Sequence, residues 1–147
     1  MSVTLLTKAK YDVGCAQLSL AQPDDGYVQI AASHTQQALE KLIKYVLENY
    51  GVDYRRIRHI DKLLEALPSS QTVFDSDDFA QFSDFKDSLY RWESEVRYVT
   101  DYLASRDRVV RVCQFAEELY VKISSFDFGT DSPGVLEKPT ISKMNLD

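Results

Sequence analysis

The chain has 147 residues, 44% hydrophobic and 27% charged, a size and balance that suit one globular domain whose core stands without metal or disulfide support. Its net charge of -6 argues against broad, sequence-independent nucleic-acid binding, which draws its affinity from neutralising phosphates. No apolar run approaches the roughly 20 residues that cross a bilayer. The start MSVTLLTKAKYD lacks the basic-then-apolar order of a secretory signal, so the expected location is the cytoplasm.

A first helix is expected over about residues 3 to 21, where Leu6, Ala9, Val13, Ala16 and Leu20 recur at three- and four-residue steps as one apolar stripe. Gln22, Pro23, Asp24, Asp25 and Gly26 close it with a turn. A second helix runs from about Tyr27 to Tyr50, with Gly51 as a left-handed cap. Its stripe of Tyr27, Ala31, Ala38, Leu42 and Tyr45 is flanked by another of Leu39, Ile43, Val46, Leu47 and Tyr50. An arc that wide places the helix either at the centre of a bundle or at a shared subunit interface.

After a basic turn, a third helix spans His59 to Leu67 and stops at Pro68. Residues Ser69 to Asp78 are polar and acidic and read as a loop. Phe82, Phe85, Leu89, Trp92 and Val96 then give a fourth helix whose aromatic stripe belongs to the core. Val109, Val112, Cys113, Ala116, Leu119, Tyr120 and Ile123 fit one face of a fifth, with Ser105 or Asp107 as its N-cap. No strand alternation and no repeat period competes with this pattern. The expected fold is all-α, an antiparallel up-and-down bundle of about five helices over residues 1–126, followed by a flexible or partner-docking tail over 127–147.

Two lone cysteines, Cys15 and Cys113, form neither a CxxC pair nor a metal cluster and read as buried free thiols. His34 reads as a packed, hydrogen-bonded core histidine. Gln37, Lys41 and Lys44 share a helix flank that suits contact with a phosphate or carboxylate, although Glu40 with Lys44 is also an ordinary i,i+4 pair. Arg55, Arg56, Arg58 and His59 gather at the start of the third helix, where backbone amides add to their attraction for an anion. Asp53 and Asp61 are equally available to neutralise that cluster in a solvated turn. Tyr98 beside Arg97 is placed either to stack a base or to close the core. Nothing resembles a glycine-rich phosphate loop or a metal-ligand motif, and no cofactor is expected.

The run His34, Thr35, Gln36, Gln37, Ala38, Leu39, Glu40, Lys41, Leu42, Ile43, Lys44, followed by His59 ahead of Leu63 and Leu64, resembles the HEPN (higher eukaryotes and prokaryotes nucleotide-binding) domain family. Leu6, Ala9 and Asp12, Glu95 through Tyr98, and Ala116 with Glu117 are similar to further pieces of the family pattern, in order, over about residues 4 to 124. Ribonuclease members carry an Arg followed four to six residues later by a His near the last long helix. The two histidines here, His34 and His59, both lie upstream of that region, Arg55 leaves only three intervening residues before His59, and Val99 replaces the usual Pro.

The resemblance therefore implies a non-catalytic module that forms a homodimer through the second helix, pairs with a nucleotidyltransferase-type partner, or binds nucleotide or RNA through Lys41, Lys44, Arg55, Arg56, Arg58, His59, Arg97 and Tyr98. A ribonuclease toxin with its chemistry moved to His59 and Arg55 or Arg58 is the enzymatic alternative. A structural adaptor is the third.

Overall fold

The computed structural model describes residues 4–98 and 102–129, and the side chains of 95–98 fall outside the description. Five helices account for most of it: α1 (Leu5–Leu20), α2 (Asp25–Asn49), α3 (Ile60–Glu65), α4 (Ser76–Tyr98) and α5 (Arg106–Ser125). There is no strand among the described residues. Most residues of the stripes expected of α1, α2, α4 and α5 are buried in it, with Phe115 added on α5, whereas Tyr27 is exposed and the Val96 side chain lies outside the described residues.

The helix ends follow local chemistry. Thr4 caps α1 by accepting from the Thr7 amide, Asp24 caps α2 by accepting from Gly26, and Ser105 caps α5 by accepting from Arg108. At the other end of α2, Gly51 sits at φ 73°. Its N–H donates to the Glu48 carbonyl at 3.1 Å and the Val52 N–H to the Leu47 carbonyl at 3.0 Å, the paired bonds of a glycine-terminated helix.

α4 starts earlier than the acidic stretch suggests. The Asp78 N–H donates to Asp75 Oδ1 at 2.9 Å and the Asp75 N–H donates back to Asp78 Oδ2 at 3.0 Å. This reciprocal cap satisfies two otherwise orphaned donors, so residues 76–78 are helical rather than loop. Lys122, near the end of α5, binds both carboxylates and ties the two helices together.

α2 meets each of the other four helices. Its buried residues, from Val28 through Ala38 and Leu42 to Leu47, span about half the helix circumference at 3.6 residues per turn. The wide apolar arc is thus spent inside the chain. Tyr27 and Ile30, near its start, are the large apolar residues of α2 left exposed, while most of its arc faces the bundle.

Polar pairs fix the helices against it. Asp12 on α1 is buried, with its Oδ1 2.9 Å from His34 Nδ1 and its Oδ2 bonded to Lys41 Nζ, both on α2. Gln29 holds the chain ahead of α5 with two bonds to the Ala104 backbone, at 2.7 and 3.2 Å. Arg106 donates to the carbonyls of Leu20 and Gln22 at 2.9 and 3.0 Å, closing the C-terminal end of α1.

Two sequence expectations are corrected. Cys15 is exposed, one position off the α1 stripe, whereas Cys113 is buried and burial pushes its thiol pKa up. The packed body also runs past residue 126: Phe128 lies against Tyr45 and Tyr50 with ring centroids 6.1 and 5.9 Å apart. Residues 130–147 lie outside the described residues.

Replacing Asp12 by Asn leaves the Lys41 ammonium without its counter-charge in a half-buried position. We expect Asp12→Asn to cost about 2 kcal/mol of unfolding free energy, read as a lower urea midpoint at unchanged m-value. A shift below about 0.5 kcal/mol, the size usual for a surface change, would mean that the α1–α2 clamp carries little of the stability.

Candidate functional site between α3 and α4

The basic turn ends in a conformation that only glycine adopts freely. His59 stands at φ 69° and ψ 142° immediately before α3, a region that costs an L-residue about 1–3 kcal/mol. Its imidazole leans onto α4, with Nδ1 3.2 Å from Glu93 Oε1 and the ring 5.8 Å from that of Tyr90. This places the ring at the mouth of a cleft of about 270 Å³ between α3 and α4.

Ile60, Leu64, Phe82 and Leu89 give the cleft an apolar floor, and the rings of Phe79 and Tyr90 form its sides. Tyr90 is 59% exposed, so much of its surface faces solvent. Polar groups ring the opening: His59, Asp61, Ser83, Lys86, Asp87 and Glu93. Three of these are carboxylates and one is a lysine, so the cleft carries a net negative charge. Lys86 and Asp87 are exposed and have no ion-pair partner among the described residues.

The preceding arginines are not equivalent. Arg55 grips Asp53 through Nε and Nη2 at 2.9 and 2.8 Å, and hydrogen bonds from its side chain and backbone hold the Asp53 carboxyl down at about 2. Arg56 and Arg58 are exposed and carry no such bond among the described residues. They are the cations of this turn that remain available to an anion.

The lysines of the central helix face other work. Lys41 binds Asp12. Lys44 binds Glu40 Oε2 at 2.7 Å and sits 5.7 Å from the Tyr54 ring centre. Burial pushes the Glu40 carboxyl up, but bonds from Lys44 and Gln36 with the charges of Lys44 and Lys41 outweigh it, and the net shift is downward. These residues, all within the family-like motifs, therefore bond in two groups, Asp12 with His34 and Lys41, and Glu40 with Gln36 and Lys44. His34 is half-buried rather than enclosed. Arg97 and Tyr98 lie in α4, but their side chains are outside the described residues.

Sequence reasoning singled out His59 but missed its neighbours on α4. Ser83, Lys86, Tyr90 and Glu93 recur at three- and four-residue steps, a flank beside the aromatic core stripe that was legible as a second face. Among the described residues no three His, Cys, Asp or Glu side chains converge to hold a metal ion, and no helix is long and apolar enough to cross a membrane.

A five-helix bundle of this kind, with its motif residues on the central helix, defines a class of small helical domains. The chain matches the HEPN domain model over residues 2–125 and belongs to that family. No curated protein and no solved structure matches it significantly.

Because the strain at His59 belongs to the backbone, His59→Gly and His59→Ala should part company. Both lose the bond to Glu93, yet the glycine variant should be more stable by about 1 kcal/mol or more, measured by urea unfolding. Equal stability would show that the turn relaxes freely and that no strain is held at residue 59.

Proposed function

We propose that this HEPN domain is a non-catalytic binding module, in which a base of a nucleotide or RNA segment enters the α3–α4 cleft and its phosphates meet Arg56 and Arg58. The observation that carries this reading is His59, held in a costly backbone conformation between the free arginines and the cleft. An apolar cavity with an exposed aromatic wall and a few convergent polar groups is the usual form of a small-ligand site, and a tyrosine ring is a sequence-tolerant stacking platform for bases. At about 270 Å³ it is smaller than the roughly 300–1,000 Å³ of sites that enclose a drug-sized ligand. One base fits that scale better than a whole nucleotide.

The same charges weigh against catalysis on RNA. Attack by the 2′-hydroxyl builds negative charge on the phosphorus centre, which needs donors and cations aimed at it. Asp61, Asp87 and Glu93 would oppose that charge at the cleft. Arg55, the nearest candidate by sequence spacing, is already bound to Asp53. His59 beside Glu93 does have the form of a base with an orienting carboxylate, and this one feature keeps the ribonuclease reading in the test.

Binding of a short single-stranded RNA should weaken with salt, with a logarithmic slope of about 0.7 per phosphate neutralised. The Arg56→Ala/Arg58→Ala double variant should bind more weakly and lose about 1.4 from that slope, whereas Arg55→Ala should change it little. An unchanged slope in the double variant would refute the phosphate role of the turn. RNA cleavage in the same samples, lost in His59→Ala, would replace the binding module by a ribonuclease.

The proposed assembly is a homodimer, supported by exposed apolar residues on α1 and the first turns of α2: Tyr11, Leu18, Tyr27 and Ile30. Sedimentation at tens of micromolar, an order of magnitude at which specific dimers persist, should show a dimer that Leu18→Glu dissociates. A monomeric wild-type protein would overturn it.

A further inference from the structure

We infer that the α3–α4 cleft selects guanine over the other bases, with Asp87 and Lys86 reading its Watson–Crick edge; this rests on the base-binding role proposed for the cleft. The inference starts from a mismatch. A cleft meant for phosphate would carry a surplus of cations, but this one carries Asp61, Asp87 and Glu93 against a single lysine. Carboxylates accept hydrogen bonds and donate none when ionised. A ligand complementary to them must therefore present N–H donors and an uncharged body that the apolar floor and Tyr90 can cover.

The bases differ on this point. Guanine presents two adjacent donors, N1–H and the 2-amino group, next to the O6 acceptor. A carboxylate accepts both donors in parallel, and a neighbouring ammonium donates to O6. Adenine and cytosine each offer one exocyclic amino group with a ring-nitrogen acceptor beside it, which a carboxylate repels. Uracil places its single N–H between two carbonyls. Two adjacent donors beside an acceptor is a guanine pattern, and lysine is a common partner of O6.

The residues suit those roles unequally. Glu93 already engages His59 through Oε1, and Asp61 lies in the first turn of α3, where the helix dipole stabilises it. Asp87 has no hydrogen-bond or ion-pair partner among the described residues, and Lys86 beside it is equally free. Tyr90 lies three residues after Asp87 on α4, hence on the same side of the helix. A base stacked on Tyr90 brings its edge toward this pair, while His59 and Glu93 bound the opposite side.

The test is a titration of the full chain with GMP, IMP, AMP, CMP and UMP at fixed salt, repeated on Asp87→Asn and Tyr90→Ala. GMP should bind about tenfold more tightly than AMP, CMP and UMP, the discrimination of a modest bidentate pair. IMP, which lacks the 2-amino group, should fall between. Asp87→Asn should remove the preference for GMP while retaining binding, and Tyr90→Ala should weaken every base together. Equal affinities in the wild type would overturn guanine selection yet leave the base-binding cleft standing. No binding of any nucleotide would overturn both. A guanine preference that survives Asp87→Asn would refute the assignment to Asp87.

Discussion

The structure depends on one enclosed helix. α2 must bury an apolar arc about half its circumference wide, and no single neighbour covers so much, so α1, α3, α4 and α5 all dock on it. Burying apolar area supplies the drive, but apolar contact alone fixes neither the height nor the rotation of one helix against another. Directional polar pairs do that here. The Asp12 carboxylate between His34 and Lys41 sets α1 along α2, and the Gln29 amide sets the backbone at Ala104 ahead of α5.

The position of the cleft follows from that arrangement. α3 is only six residues long and covers little of α4. Phe82 and Leu89 serve both the core and the cleft floor, so the site stands on the rigid part of the bundle while its rim comes from an exposed turn. The backbone strain is concentrated at His59, where turn and helix meet. Such a division, with a rigid floor and a costly residue at the edge, is common where a fold retains a geometry for binding rather than for stability.

Sequence periodicity exposed the helices because burial repeats every three or four residues along them. The stripes of α1, α4 and α5 and the glycine that ends α2 were all visible. The start of α4 was obscured because Asp75, Asp77 and Asp78 look like a solvated loop, and only the spacing of Asp75 and Asp78 hints at a reciprocal cap. Cys15 shows the limit of the method, since a shift of one position separates the buried face from the exposed one. Pairings across the chain, such as Asp12 with Lys41 or His59 with Glu93, leave no local trace. The resemblance flagged Asp12, His34, Glu40, Lys41 and Lys44 without saying that Asp12 binds His34 and Lys41 or that Glu40 binds Lys44. Those lysines therefore looked like ligand contacts, while Lys86 and Tyr90, outside any motif, drew no notice.

The most direct test of the central claim is residue-resolved: amide shifts of the isotope-labelled chain followed by NMR while a mononucleotide is added. The account predicts saturable changes confined to residues 56–64 and the 79–93 flank of α4, with the Asp12–Lys41 clamp unmoved. Changes centred on residues 34–44 instead, with the α3–α4 cleft silent, would contradict it and return the ligand to the central helix.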